Sequence, residues 1–282
     1  MDPMQGFCAI PSGGSVSKDT GVARGMETMT YAYAERLLDW EGGRVWVRTA
    51  GRGLPVVLLH SLGGASTHWR LTEPALLAAG FSVTSIDLPG HGRSALPTAP
   101  FSPLSMGRDL AAGLDRPSVL VGNSLGGWVA LRAYLERPEA VLGIALVASA
   151  GLVGMPTRPP KLPFGPGRSN LIETLLSSVF HDPAAVASEA REALIAGAFA
   201  PGLLTLNPEG ALASTDLARI RCPVSVLWGR EDRILPVCWA DRFADALPLV
   251  KRRVIDQCGH LPQLEKPGVF NPELVAFCRV FA

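Results

Sequence analysis

The stretch that decides the fold reads Val119-Leu-Val-Gly-Asn-Ser-Leu-Gly-Gly-Trp-Val-Ala-Leu131. An apolar run ends at Gly122, and a helix-like pattern follows from Gly127. Between them lies a Gly-x-Ser-x-Gly motif, which is typical of a tight turn from a strand into a helix. Gly122 and Gly126 provide the room that such a turn needs, because side chains there would collide with the reversing chain. The motif predicts that the Ser124 hydroxyl is exposed, with the positive end of a helix behind it.

Strand and helix patterns alternate on both sides of this motif. Several strand patterns are continuous apolar runs, which suit strands that are covered on both faces of a parallel sheet. The alternation predicts an α/β fold with a mostly parallel sheet and helices on both faces. The predicted strands are Arg44–Arg48, Pro55–His60, Phe81–Asp87, Ser118–Val121, Val141–Val147, Pro223–Gly229 and Lys251–Asp256. The predicted helices are Trp69–Ala79, Pro103–Leu114, Trp128–Glu136, Leu171–Phe180, Pro183–Ala198, Trp239–Leu247 and Asn271–Phe281.

The alternation stops between residues 151 and 212. A segment rich in proline and glycine is followed there by two helical patterns, the second with Asp182 as its predicted N-cap. We interpret residues 151–212 as a helical cap over the carboxyl edge of the sheet, and 34–150 and 213–282 as the core. Residues 1–33 are predicted to be a loosely ordered leader, which lacks the apolar segment of a signal peptide.

The composition narrows the class of protein. The 26 Lys and Arg residues nearly balance the 25 Asp and Glu residues, and no basic block occurs, which argues against nucleic acid as a partner. No apolar run approaches the roughly 18 residues that span a bilayer. The five cysteines are scattered without a zinc-ligand spacing, which favours reduced thiols in the cytoplasm and no metal site. The sequence leaves both a monomer and a homo-oligomer open.

Two further residues have the chemistry that Ser124 requires. A serine hydroxyl needs a base within hydrogen-bond reach, and the base needs an acidic partner. Asp232 and His260 each lie just past a predicted strand, at the sheet edge where ligands of parallel sheets bind. Asp87 and Glu231 are the weaker candidates for the acid, and His60 is expected to be a structural hydrogen-bonding residue. This chemistry requires no cofactor and no metal.

From Leu38 to Ala282 the chain resembles the α/β-hydrolase superfamily. The resemblance implies that Ser124 is the nucleophile, Asp232 the acid and His260 the general base. It also implies an oxyanion hole made by the backbone N–H groups of Leu62 and Leu125. The family usually has His-Gly where this chain has His60-Ser61. The matching segments are Val57-Leu-Leu-His-Ser-Leu-Gly-Gly64, Asp87-Leu-Pro-Gly-His-Gly-Arg-Ser94, Gly122-Asn-Ser-Leu-Gly-Gly127, Leu227-Trp-Gly-Arg-Glu-Asp232 and Gly259-His-Leu-Pro-Gln-Leu-Glu-Lys-Pro267.

The resemblance leaves three functions open. The first is hydrolysis of a small carboxylic ester or lactone that has an apolar part. The second is hydrolysis of a carbon–carbon bond in vinylogous diketones from aromatic ring cleavage, because those enzymes often have Gly-Asn-Ser at the turn, as Gly122-Asn-Ser124 does here. The third is a non-catalytic small-molecule receptor, since the fold does not determine function. Receptors on this fold generally lack one member of the Ser-Asp-His set, which is complete here.

Overall fold

The computed structural model describes residues 31–41, 43–96, 101–156, 168–197 and 200–282. The strands within these ranges form an eight-stranded sheet. The strand order is β1-β2-β4-β3-β5-β6-β7-β8; β1 and β2 pair antiparallel with their neighbours, and the other strands are parallel. The predicted, mostly parallel α/β fold is therefore confirmed. The strands are β1 Ala34–Trp40, β2 Gly43–Ala50, β3 Pro55–Leu59, β4 Ser82–Ile86, β5 Ser118–Asn123, β6 Val141–Val147, β7 Val224–Gly229 and β8 Val250–Ile255.

The apolar runs of the central strands supply both faces of the sheet. Leu120 of β5 points into one apolar cluster, whereas its neighbours Val119 and Val121 point into the other. Helices α2, α3 and α8 cover the first face, and α1 and α10 cover the second. The α-helices are α1 Glu73–Ala78, α2 Pro103–Ala112, α3 Leu125–Glu136, α4 Arg168–Val179, α5 Ser188–Gly197, α6 Gly202–Thr205, α7 Ser214–Leu217, α8 Cys238–Ala246, α9 Pro262–Glu265 and α10 Pro267–Cys278.

Several elements differ from the local predictions. Helix α1 begins at Glu73 and not at Trp69, and α10 begins at Pro267 and not at Asn271. Strand β1 begins at Ala34 and was not predicted, because its exposed residues lack an apolar pattern and its partner is β2. Helix α5 begins at Ser188. Asp182 is therefore not its N-cap; its side chain accepts from the N–H of Ala184 in a separate turn. Residues 1–30 of the predicted leader lie outside the described residues.

Helices α4 and α5 pack over the loops that follow β7 and β8. Residues of α4 and α5 form an apolar cluster with Leu261 and Leu264, which follow His260, and with Ile234, which follows Asp232. Arg233 reinforces this contact, because its guanidinium donates to the carbonyl oxygens of Ser177 and Phe180. Helices α4 and α5 therefore lie against loops at the carboxyl edge of the sheet, and the assignment of residues 151–212 as a cap stays a prediction.

Candidate active site

Ser124 occupies the turn between β5 and α3. Its φ of 52° and ψ of −111° are unfavourable for a residue with a side chain. The turn is possible because its glycines contact backbone directly. A Cβ on Gly122 would lie 2.3 Å from the Gly126 carbonyl carbon, and a Cβ on Gly126 would lie 2.2 Å from the Leu59 oxygen. The Gly-x-Ser-x-Gly spacing therefore has a tertiary cause, which is the close approach of α3 to β3.

We expect Gly126→Ala to destabilise the protein by about 2 kcal/mol or more, because the added methyl group must displace backbone atoms of β3. The matched control is Gly268→Ala in α10, where a Cβ would meet no atom within 4 Å. Chemical denaturation of both variants measures the free energy of unfolding. Equal unfolding free energies for the two variants would contradict the predicted contact.

His260 and Asp232 form a buried pair. Nδ1 of His260 lies 2.7 Å from Oδ2 of Asp232. The other carboxylate oxygen of Asp232 accepts from the N–H groups of Ile234 and Leu235, each at 2.8 Å. Both oxygens are therefore engaged, and the carboxylate is held with one oxygen towards the imidazole. This orientation keeps a proton on Nδ1 and leaves Nε2 free to accept one.

Four hydrogen bonds hold the backbone around His260. The Cys258 N–H donates to Glu231 at 2.8 Å, and the Gly259 N–H donates to Glu265 at 2.6 Å. The His260 N–H donates to the Val179 oxygen of α4 at 2.7 Å. The His260 carbonyl accepts from the side chain of Asn123 at 3.3 Å. Because Asn123 directly precedes Ser124, this last contact brings the serine turn and the histidine loop together.

The two weaker candidates for the acid have other partners. Glu231 accepts from the Cys258 N–H. The carboxylate of Asp87 accepts from the backbone N–H groups of Ser66 and Arg93. Asp232 is thus the candidate acid that contacts His260. Glu265 and Val179 have supporting contacts that the sequence did not reveal. Glu265 accepts from Gly259, six residues earlier, and the carbonyl of Val179 accepts from His260, which is distant in the chain.

Histidines hold the loop that contains Leu62. His60 Nδ1 donates to the Ser61 oxygen at 2.8 Å, and its Nε2 accepts from the Leu88 N–H at 2.8 Å. The Gly63 N–H donates to Nε2 of His91 at 3.1 Å. These contacts agree with the structural role expected for His60. Leu125, the other predicted oxyanion donor, is the first residue of α3, where a backbone N–H has no partner within the helix.

Burial keeps three histidines near this loop neutral. It lowers the pKa of His60 to about 3, that of His91 to about 3 and that of His68 to about 4. The unfolded chain binds these protons near pH 6.5, whereas the folded chain does not. Stability is therefore fully present above pH 6.5 and decreases as the pH falls below it.

We expect the free energy of unfolding to decrease between pH 7.5 and pH 5.5 by about 1 kcal/mol for each of these histidines. Urea denaturation at the two pH values measures the difference. An unfolding free energy that does not change over this range would show that the histidines are not held neutral.

The described residues contain no group of three or more His, Cys, Asp or Glu side chains placed to hold a metal ion. Within the same residues, no helix is long and apolar enough to cross a membrane. At the carboxyl edge of the sheet, Asp232 orients the imidazole of His260, and Asn123 joins the histidine loop to the turn that carries Ser124.

The fold and this arrangement define a class of protein. Residues 56–273 match the model of the alpha/beta hydrolase family, and the chain belongs to that family of hydrolases. It is 30% identical to a 2-hydroxy-6-oxononadienedioate/2-hydroxy-6-oxononatrienedioate hydrolase of Cupriavidus pinatubonensis, over 89% of this chain and 98% of that protein.

Two solved structures are similar over most of the chain. The 2-hydroxy-6-oxo-6-phenylhexa-2,4-dienoate hydrolase of Rhodococcus sp. strain RHA1 superposes with a TM-score of 0.75 at 27% identity, covering 89% of this chain and all of that one. Est816, described as an N-acyl homoserine lactone degrading enzyme, superposes with a TM-score of 0.69 at 28% identity, covering 88% of this chain and all of that one. Relatives of this chain therefore include enzymes named for two kinds of hydrolysis.

Proposed function

We propose that this protein is a serine hydrolase that cleaves a small carboxylic ester or lactone through an acyl-enzyme on Ser124. The observation that carries the proposal is the 2.7 Å contact between His260 and Asp232, with the other oxygen of the carboxylate engaged by backbone N–H groups. An imidazole held in this way can accept a proton at Nε2. The serine turn that meets its loop supplies the nucleophile.

The proposed reaction has two halves. In the first half, Ser124 Oγ attacks the ester carbonyl while its proton passes to Nε2 of His260, and the carbonyl oxygen becomes an oxyanion. The N–H groups of Leu62 and Leu125 stabilise that oxyanion, each by roughly 3 kcal/mol as judged from oxyanion donors elsewhere. The intermediate then collapses, and His260 returns the proton to the leaving alcohol.

In the second half, water attacks the acyl-enzyme. His260 takes a proton from the water, and a second oxyanion forms in the same hole. The bond between the acyl carbon and Ser124 Oγ then breaks as His260 returns the proton to Oγ. The net reaction adds one water to the ester and yields an acid and an alcohol. Asp232 keeps its charge throughout and stabilises the imidazolium in both halves.

The surroundings of the loops that carry Asp232 and His260 support an ester or lactone with an apolar part. The apolar cluster of the cap, which contacts the residues after His260, suits a substrate with an apolar part.

Carbon–carbon bond hydrolysis is the second candidate. The similarity to the Cupriavidus and Rhodococcus dienoate hydrolases extends over 89% of the chain in each case. Gly122-Asn-Ser124 also agrees with this candidate. A non-catalytic receptor is the third candidate and is the least supported, because Ser124, Asp232 and His260 are all present.

A substrate panel tests the proposal. The purified protein is assayed with p-nitrophenyl esters of graded acyl length, with acyl lactones and with a ring-cleavage dienoate, beside the Ser124→Ala variant. Turnover of esters or lactones that is lost in Ser124→Ala is the expected result. Cleavage of the dienoate without ester turnover would support the second candidate instead. Tight binding of a small molecule without any turnover would support the receptor.

The proposed setting in the cell rests on the cysteines. Cys222, Cys238, Cys258 and Cys278 are free thiols. Burial raises the pKa of Cys222 and Cys278 to about 12, so these thiols stay protonated and unreactive at neutral pH. We infer a cytoplasmic enzyme that needs no cofactor. A homo-oligomer stays a prediction, which size-exclusion chromatography with light scattering would test.

A further inference from the structure

The loop 61–64, which contains the proposed oxyanion donor of Leu62, is packed against histidines on the side of the core. A Cβ on Gly64 would lie 2.8 Å from two ring atoms of His68, so the loop backbone rests on that buried ring. The Oγ of Ser61 lies 3.5 Å from Nδ1 of the same ring. Together with the bond from Gly63 to His91, these contacts leave the loop little freedom to move towards the core.

On its other side, the same loop is in backbone contact with the cap. Gly197 is the last residue of α5, and a Cβ placed on it would lie 2.1 Å from the Gly63 oxygen and 3.1 Å from Cα of Gly64. The side chain of Leu203 in α6 approaches from the same direction, because a Cβ on Gly63 would lie 3.5 Å from its Cδ2. The loop is therefore clamped between core histidines and cap helices.

We propose that Gly197 and Leu203 are positioning residues, through which the cap sets the position of the oxyanion donor in loop 61–64. This proposal rests on the serine-hydrolase function proposed above. A hydrogen bond to an oxyanion weakens steeply when the donor moves or turns away from its optimum. The cap would thus control transition-state stabilisation.

Gly197→Ala is the sharpest test. Ala is compatible with a helix and raises helix propensity, so the methyl group affects chiefly the space between α5 and Gly63. We expect kcat to fall about 10- to 100-fold with KM changed less than about threefold, since losing a whole oxyanion donor elsewhere lowers kcat about 100- to 1000-fold. Gly268→Ala, which adds the same methyl group in open space, is the matched control and should match the wild type.

A second readout separates this positioning role from general damage. The readout is inhibition by a trifluoromethyl ketone that has the acyl chain of the best substrate. Ser124 Oγ attacks the carbonyl carbon of this ketone, and the serine proton passes to His260. The ketone oxygen becomes an oxyanion in the hole. The inhibition constant of the ketone should rise in Gly197→Ala by about the same factor as kcat falls. Leu203→Ala removes packing instead of adding bulk, so it should lower kcat several-fold and weaken inhibitor binding in parallel. This variant also tests the proposal if Gly197→Ala does not fold.

Three results would overturn the proposal. The first is that the folded variants have the same kcat as the wild type. The second is a lower kcat with unchanged trifluoromethyl ketone affinity, which would point to an effect away from the oxyanion. The third is an equal loss in Gly268→Ala. A wild-type protein that hydrolyses no ester or lactone would instead contradict the proposed function, so the two failures are distinguishable.

Discussion

Ser124→Ala should lower kcat by about 10⁴- to 10⁶-fold, because the variant has no atom at which an acyl-enzyme can form. The remaining activity would come from binding and from the oxyanion donors, with water as the attacking group. Hydrolysis of the best p-nitrophenyl ester, followed over hours at high enzyme concentration, measures the residual rate. Ser118→Ala is the matched control, since Ser118 begins the same strand and donates to Arg116, far from the turn.

The double variant that carries both Ser124→Ala and His260→Ala is a stricter test. If Ser124 and His260 act as one unit, the double variant should be about as slow as the slower single variant. Losses that multiply would mean that the two residues act independently, which contradicts the triad. A Ser124→Ala variant that keeps more than about a tenth of the wild-type rate would remove the serine as nucleophile.

Asp232→Asn should lower kcat by about 10⁴-fold while the fold remains intact. The structure determines which way the amide must face. The carboxylate oxygen that accepts from Ile234 and Leu235 must remain an oxygen, so the NH₂ group of the asparagine faces Nδ1 of His260. Nδ1 then has to accept, and Nε2 carries the proton that it should take from Ser124. The imidazole is in the wrong tautomer for a base.

Measuring kcat against pH, with circular dichroism for the fold, checks this result. Asp256→Asn is the control, because Asp256 is exposed and pairs with Arg230 on the surface. Glu231→Gln should have a smaller effect, since Glu231 accepts from the Cys258 N–H and does not touch the imidazole. Should Asp232→Asn leave kcat within tenfold of the wild type, Asp232 is not the acid, and Asp87 or Glu231 must be tested in its place.

The sequence by itself determined the fold class and the candidate triad. The central strands are continuous apolar runs, and their burial on both faces follows from that composition alone. The turn at Ser124 was predictable because glycines mark positions where backbone approaches backbone, whatever lies on the other side. Asp232 and His260 were predictable because the ends of parallel strands meet at one edge of the sheet.

The tertiary structure alone decided what holds these residues in place. The bonds that Val179 and Asn123 make to the loop of His260 join residues that are far apart in the chain. The contact of Gly197 with Gly63 joins a cap helix to a core loop, and no local pattern in either segment indicates the other. Local sequence specifies local conformation, whereas the position of a catalytic atom depends on packing between segments that meet only in the folded chain.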